Sequence, residues 1–182
     1  MNGGNMGHRI REKRKERGLS LKSLAKAIGK TPSFLSQVER DLAEPSITSL
    51  RDIARALEVP IFYFMLDSQS HNPVVRKDQR KRISFPGYQL TFELLCPSLS
   101  QDMEIIQGRL EPGGMTCEDP LPHSGEEATL VLAGKMEIQV GSDVYVLSEG
   151  DCIYYYASLP HKITNTGNEE LIFVSAIAPP SF

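Results

Sequence analysis

Residues 19–59, LSLKSLAKAIGKTPSFLSQVERDLAEPSITSLRDIARALEV, predict three consecutive helices. Apolar side chains recur there at the spacing of one helix face: Leu21, Leu24, Ala25 and Ile28, then Leu35 and Val38, then Ile47, Leu50, Ile53, Ala54 and Leu57. Each predicted helix follows a residue whose hydroxyl caps helix N-termini: Ser20, Thr31 and Ser46. Gly29 is suited to end the first helix, so a short turn separates it from the second.

The flanking sequence completes a small helical bundle. A basic segment at about residues 8–17 predicts one more helix, and IFYFML at 61–66 predicts a short closing segment. We therefore predict an all-α domain over residues 1–66. The polar stretch 67–82 has neither helical nor strand periodicity, which predicts a linker.

From residue 83 onward the apolar period changes to two. Short segments rich in β-branched and aromatic residues are divided by Gly, Pro, Asn or Asp: YQLTFELL, MEIIQGRLE, ATLVL, KMEIQV, DVYVL, CIYYY and LIFVSAIA. Seven or more strands with almost no helical pattern predict an all-β barrel or sandwich over residues 83–182. The predicted fold class is thus an α + β protein of two domains.

The charge divides at the same boundary. Residues 1–82 hold 17 Lys and Arg against 9 Asp and Glu, a net charge of +8, whereas residues 83–182 hold 3 against 14, a net charge of -11. A basic module beside an acidic one favours a polyanion as the partner of the first. The basic end of the linker, RKDQRKR at 76–82, is either a solvated segment or a further contact to DNA phosphate.

Composition excludes several classes of protein. With 40% hydrophobic residues the chain can bury a core, which excludes a disordered chain. The longest apolar run, 59–66, is far short of the roughly 20 residues that a membrane span needs. Residues 1–18 lack the apolar part of a signal peptide, so we expect a cytoplasmic protein with no membrane partner. Its three cysteines, without a C-x-x-C spacing, are expected to be free thiols.

The helix pair around Gly29 resembles the helix-turn-helix of the phage-repressor-type (Xre) family over about residues 7–66. The motifs that carry the resemblance are Gly18-Leu19-Ser20, Leu24-Ala25, Ile28-Gly29, the run LSQVER at 35–40, Pro45-Ser46 and the run 50–57. Asp41 stands where the family commonly has Gly. The resemblance implies a DNA-binding domain in which Ser33 and Gln37 contact bases.

The side-chain chemistry agrees with that implication. Gln37 can make two hydrogen bonds to adenine, Ser33 can bond to several bases, and Phe34 can touch a thymine methyl group or pack within the domain. The residues placed for phosphate contacts are Lys22, Lys30, Thr31 and Arg40. Alternatively, Arg40 pairs with Glu39 or with a neighbouring helix.

Two later stretches, residues 112–135 and 149–165, resemble the two motifs of the cupin superfamily, a small β-barrel fold. The matching residues are His123, Glu127 and Gly134, then Gly150, His161 and Asn165. Cupins commonly bind a divalent metal through two histidines and a glutamate of the first motif and a histidine of the second. The resemblance therefore implies His123, Glu127 and His161 as ligands, whereas Leu121 replaces the remaining histidine.

These residues do not determine whether the barrel binds a metal or an organic ligand. Two imidazoles and a carboxylate can hold iron(II) as a facial triad, or zinc with water completing the shell. They can equally form a metal-free polar cluster that binds an organic ligand. Tyr154 and Tyr156 share one face of their strand and either pack or contact that ligand. Glu126 is not among the candidate ligands, because side chains alternate along a strand and it faces away from Glu127.

Three functions are compatible with these resemblances. The first is a sequence-specific transcriptional regulator, not an enzyme, whose homodimer binds a double-stranded DNA operator and whose cupin domain senses a small-molecule effector. The second is a mononuclear non-haem iron enzyme, because hydroxypropylphosphonate epoxidase resembles the same arrangement and a missing ligand leaves positions for oxygen and substrate. The third is a scaffold for another partner. The set of DNA-reading residues favours the first.

Overall fold

The computed structural model describes residues 6–64, 72–97 and 102–181. Near residue 67 the chain divides into two compact units, one helical and one built of β-strands. Residues 65–71 contain the end of the predicted closing segment and the start of the predicted linker, and both lie outside the described residues.

Four α-helices form the described part of the helical unit: α1 Met6–Glu16, α2 Leu21–Ala27, α3 Pro32–Glu39 and α4 Ile47–Ala56. A 3-10 segment, Ile61–Phe64, follows them. The predicted caps are confirmed, because the hydroxyls of Ser20, Thr31 and Ser46 each accept a hydrogen bond from the backbone N–H three residues on. Gly29 ends the first predicted helix with a φ of 62°, the left-handed conformation that glycine adopts without strain.

The apolar faces of these helices pack into one core. Its large side chains are fully buried: Ile10, Leu24, Leu35, Ile47, Leu50, Ile53, Leu57, Phe62 and Phe64. Because the core holds one side of α3, the opposite side of that helix lies in solvent. Within the described part of the chain, every helix is too short or too polar to cross a bilayer.

Nine antiparallel strands form the described part of the β unit: β1 Lys81–Phe85, β2 Leu90–Leu94, β3 Glu104–Leu110, β4 Glu126–Ala133, β5 Lys135–Val140, β6 Asp143–Ser148, β7 Cys152–Tyr156, β8 His161–Asn165 and β9 Leu171–Ala178. One sheet has the order β1-β2-β3-β9-β4-β7 and the other the order β6-β5-β8. The inward side chains of the two sheets make the core, where the rings of Phe92 and Phe173 meet edge to face at 6.5 Å. The predicted all-β architecture is confirmed.

The first strand, β1, begins at Lys81 and so includes the last two residues of the predicted linker, 67–82. Residues 81–85 alternate outward and inward, and this strand pattern was concealed by the polar composition before residue 83. Arg80 donates to Glu93 Oε2 at 3.1 Å, and Arg82 donates to the other oxygen. Two arginines of the basic segment therefore neutralise a carboxylate of β2 that is only 3% exposed.

These hydrogen bonds decide the charge of Glu93. Burial alone would raise the pKa of the Glu93 carboxyl, but the hydrogen bonds from Arg80 and Arg82 outweigh burial and lower the pKa below its usual value. The carboxylate thus stays charged at neutral pH and holds the end of the basic segment on the β unit.

Candidate DNA interface and candidate metal site

The exposed side of α3 carries the two predicted base-contacting side chains. Leu35 and Val38 are buried in the core of the helical unit. Ser33 and Gln37 are exposed, and their spacing of four residues places them one turn apart on the same face. The helix therefore presents a hydroxyl and an amide together to solvent.

The other predicted DNA contacts are not all equally available. Lys22, Lys30, Thr31 and Arg40 are exposed, whereas Phe34 is half-buried. The alternative that Arg40 pairs with Glu39 is wrong. Arg14 donates from Nε and Nη2 to the two oxygens of Glu39 at 2.5 and 2.8 Å, and both side chains are buried. One residue along a helix turns the side chain by about 100°, so Glu39 faces inward while Arg40 faces solvent.

Asp41 explains how the chain manages without the glycine that the family commonly has after α3. Its backbone takes a φ of 55°, in the left-handed region that aspartate tolerates better than most residues. Its carboxylate accepts the backbone N–H of Gly7 at 2.8 Å. This bond connects the start of α1 to the turn that follows α3.

In the β unit, three side chains converge: His123 from the loop before β4, Glu127 from β4 and His161 from β8. Their candidate ligand atoms lie within 4.8 Å of one another. His123 Nε2 lies 3.1 Å from Glu127 Oε2, and His161 Nε2 lies 3.7 Å from the same oxygen. Glu127 and His161 are buried, and His123 is half-buried.

The hydrogen bonds of both rings suit metal coordination. His161 Nδ1 lies 2.9 Å from the carbonyl of Leu159, and His123 Nδ1 lies 3.1 Å from the carbonyl of Ser124. Because a carbonyl only accepts, a proton on each Nδ1 satisfies these contacts and leaves the Nε2 lone pairs facing Glu127. A divalent cation, or in its absence a further proton on His123 Nε2, offsets the repulsion between these lone pairs and the carboxylate. The donor set therefore fits a divalent metal such as zinc or iron(II).

The second carboxylate oxygen of Glu127, Oε1, also accepts a hydrogen bond. Thr129 Oγ1 donates to Glu127 Oε1 at 3.1 Å and lies 2.8 Å from Ser175 Oγ. Burial would raise the pKa of Glu127, but the hydrogen bond with His123 and the charges of His161 and His123 outweigh it, so the pKa lies below its usual value. A charged carboxylate is the form that coordinates metals.

Leu121 lies beside this cluster without adding a donor. The backbones of Leu121 and His161 exchange two hydrogen bonds of 3.1 and 3.2 Å. The position that the cupin motif gives to a histidine is thus adjacent to the site, but an alkyl side chain cannot coordinate. Among the residues that the structure describes, three protein ligands remain.

Tyr154 and Tyr156 do not face the cluster, so the prediction that they pack in the barrel or contact its ligand is wrong. They are 59% and 60% exposed on the outside of the six-stranded sheet. The register of β7 on β4 pairs Tyr155 with Glu127, so Tyr155 shares the inward face of that glutamate. Its two neighbours share the outward face of Glu126 because side chains alternate along a strand.

Three side chains of the site were missed from sequence. The ring of Tyr155 lies 5.0 Å from that of His161, and Ser181 Oγ lies 2.8 Å from His123 Nδ1. Alternation from Glu127 would have identified Thr129, which lies two residues further on the same strand. Predicting Tyr155 requires the register of β7 on β4. Ser181 belongs to no sequence motif that would link it to His123, which lies 58 residues earlier.

The sequence matches two known families in these two units. Residues 10–64 match the helix-turn-helix family HTH_3, and residues 107–177 match the cupin domain family Cupin_2. The fold also resembles hydroxypropylphosphonic acid epoxidase from S. wedmorenis, with a TM-score of 0.50 and 16% identity over 94% of this chain and 96% of that one. A likeness at this identity shows the fold alone.

Similarity extends over nearly the whole chain in two further proteins. The HTH-type transcriptional regulator SutR of Escherichia coli (strain K12) is 26% identical over 94% of this chain and 93% of its own length. The crystal structure of an HTH_3 family transcriptional regulator from Vibrio cholerae has a TM-score of 0.76 and 25% identity, covering 97% of this chain and 96% of that one. The helical unit is thus similar to the HTH_3 family and the β unit to the Cupin_2 family, and the whole chain is similar to regulators that carry the first of these names.

Proposed function

We propose that this protein is a transcriptional regulator that binds a double-stranded DNA operator through α3. The observation that carries the proposal is the joint exposure of Ser33 and Gln37 on a helix whose other side is fixed in the core. An α-helix fits the major groove, where a glutamine amide pairs with adenine. Exposed lysines, Lys22 and Lys30, supply positive charge for the phosphates.

We propose further that a homodimer presents two copies of α3 to a two-fold symmetric operator. One small helix-turn-helix makes few contacts, and paired half-sites about one helical turn apart give the affinity that a single one lacks. The β unit is the proposed sensor. A small-molecule effector bound there would favour one arrangement of the two DNA-binding units, with a coupling free energy of about 1–3 kcal/mol.

The proposed sensor site is the cluster of His123, Glu127 and His161, which would hold one zinc or iron(II) ion. The metal, when bound, supplies a Lewis acid for an oxygen or nitrogen atom of the effector. The chain positions the ligands: the Leu159 carbonyl orients one imidazole, and Thr129 orients the carboxylate.

The first experiment is the selection of genomic DNA fragments by the purified protein at about 0.15 M salt, where purely electrostatic binding is weak. We expect an enriched site with two-fold symmetry. Gln37→Ala should lose about 1–3 kcal/mol of preference for that site and keep its non-specific affinity, because one amide reads one base pair.

Two control variants complete this test. Lys22→Gln should weaken binding to all sequences alike, and Asn168→Ala, in an exposed loop of the β unit, should change nothing. If Gln37→Ala recognises the selected site as well as the parent does, α3 is not the reading helix.

The metal is tested by titrating zinc and iron(II) into chelator-treated protein. We expect about one equivalent to bind, and His161→Ala to abolish this binding, because it removes one of three ligands. His8→Ala, an exposed histidine of α1, is the matched control and should bind normally. Metal-free protein that keeps its fold and binds no added metal would contradict the proposed metal site.

A second candidate function, a mononuclear iron enzyme, is favoured by one observation. Three protein ligands leave coordination positions open for small molecules. We favour the regulator because exposed Ser33 and Gln37 have no use in an enzyme. Stoichiometric iron together with repeated failure to select DNA would favour the enzyme instead.

A further inference from the structure

Residues 179–181 follow β9 and run from the end of that strand to the candidate metal site; we call these three residues the strap. Ser181 Oγ lies 2.8 Å from Nδ1 of His123. The backbone N–H of the same serine donates to Glu104 Oε1 at 2.7 Å. One residue of the strap thus contacts a candidate metal ligand through its side chain and a second strand through its backbone.

Glu104 anchors the strap because its carboxylate lies in the interior of the β unit. It is the first residue of β3, and it is 0% exposed. Burying a carboxylate is costly unless hydrogen bonds replace those that it made with water. The backbone N–H of Ser181 supplies one of these hydrogen bonds, so Glu104 favours the position in which the strap is docked.

The first part of the strap lies against the loop that carries the metal ligands. Its two residues, Pro179 and Pro180, have restricted φ angles, so ordering them costs little conformational entropy. Gly125, between His123 and Glu127, approaches the strap so closely that a Cβ there would lie 2.6 Å from Pro179 Cδ. A displacement of the strap would therefore displace the ligand loop.

The two partners of His123 Nδ1 differ in what they can fix. The carbonyl of Ser124 belongs to the next residue in the chain and moves with the loop, whereas Ser181 ties the ring to β9 and to Glu104. A proton on Nδ1 lets the ring donate to the serine hydroxyl and leaves Nε2 for a metal. With a metal on Nε2 the ring becomes more positive, and hydrogen bonds from a charged donor are shorter and stronger.

We propose that the strap positions His123 for metal binding and that metal binding, in turn, holds the strap in its docked position. Ser181 is thus a positioning residue, and the inference rests on the proposed metal site. Coupling between two binding events is reciprocal. The factor by which the docked strap raises metal affinity is therefore the factor by which bound metal favours docking. Occupancy of the metal site is transmitted in this way to the segment that follows β9.

The first part of the test measures zinc affinity by titrating zinc into the chelator-treated full chain. Ser181→Ala should bind zinc about 10- to 100-fold more weakly, as when a group that orients a metal-ligating histidine is removed. Ser142→Ala is the matched control, because Ser142 is an exposed serine in the turn between β5 and β6, and this variant should bind zinc as the parent does. Both variants should keep the circular dichroism spectrum of the parent.

The second part uses the parent chain and so does not depend on the folding of a variant. Hydrogen exchange of the Ser181 backbone amide is followed by NMR with and without saturating zinc. We expect zinc to slow this exchange about 10- to 100-fold, the reciprocal of the affinity effect. The Ser148 amide, which donates to the Asp151 carboxylate at 2.8 Å and belongs to neither the strap nor the metal site, is the control and should not change. A serine that only stabilises the fold would not respond to zinc.

Failure of the inference and failure of the metal site give different results. Parental zinc affinity of a folded Ser181→Ala variant would overturn the inference and leave the metal site standing. Exchange of the Ser181 amide that zinc does not slow would do the same. A parent chain that binds neither zinc nor iron(II) would overturn both, whereas a selected DNA operator would still support the proposed regulator.

Discussion

His123 and His161 reach Glu127 from different segments, and each ring is held by the nitrogen that faces away from the cluster. Leu159 and Ser124 provide the carbonyls, and Ser181 lies against the Nδ1 of His123. The backbone path between His123 and Glu127 therefore determines whether the two ligands meet. Gly125, the residue midway between them, has a φ of 92°.

Gly125→Ala should disturb this site specifically. A Cβ at Gly125 would lie 2.1 Å from the carbonyl oxygen of Ala178, so the loop between the two ligands must move. We expect metal affinity to fall about 10- to 100-fold, as when groups that orient metal ligands are changed. Zinc titration of the variant measures the effect.

Gly113→Ala is the control that distinguishes this steric clash from the energetic cost of a positive φ in alanine. Gly113 also has a positive φ, 79°, but open space surrounds the position of its Cβ. The substitution should cost about 1–2 kcal/mol of stability without reducing zinc affinity. Equal zinc affinities of the two variants would show that the position of the loop does not control the site.

Among the elements, the pairing of α1 with α3 matters most for the DNA interface. The buried ion pair of Arg14 with Glu39 joins the two helices, and Arg14 also donates to the Leu19 carbonyl at 2.8 Å. The hydrogen bond with Glu39 outweighs burial and raises the pKa of Arg14. The orientation of α3 thus depends on a carboxylate at its last residue.

Glu39→Gln should destabilise the helical unit by about 3–5 kcal/mol, because it leaves the buried guanidinium without a counter-charge. Glu58→Gln is the control, since the pair of Glu58 with Arg17 lies in solvent and is worth about 0–1 kcal/mol. Urea unfolding followed by the helical circular dichroism signal measures both. Similar unfolding midpoints for the two variants would mean that the buried pair does not hold α1 to α3.

The elements were more predictable than the contacts between them. Helix caps and apolar periodicity act over three or four residues, so α2, α3 and α4 follow from local sequence. The inward residue of β7 depends on how that strand pairs with β4, which is why Tyr154 and Tyr156 were predicted in place of Tyr155. The start of β1 was missed for a similar reason, because its charged residues are stabilised by Glu93 of another strand.

At the scale of the whole molecule, DNA binding is proposed for the helical unit and effector sensing for the β unit. Basic charge is concentrated in one region and acidic charge in the other, so the DNA phosphates attract the first and repel the second. Linking two weak DNA-binding units in the proposed homodimer raises their joint affinity without new DNA contacts.

The proposed homodimer should therefore bind the complete operator more tightly than half of it. We expect the two-fold symmetric site to bind about 10²- to 10⁴-fold more tightly than a single half-site. Fluorescence anisotropy with both DNA lengths measures this difference. Equal affinities for the two lengths would contradict binding by two linked DNA-binding units.

The alternation of β7 has a practical consequence for spectroscopy. The chain contains no tryptophan, and three of its six tyrosines are consecutive in this strand. Native tyrosine emission therefore mixes signals from the barrel interior and from the outer surface. Tyr155→Trp would place a single distinguishable fluorophore beside the imidazoles, and Tyr156→Trp would place one on the outer sheet. Adjacent residues of one strand could thus report ligand entry into the barrel and changes at the outer surface independently.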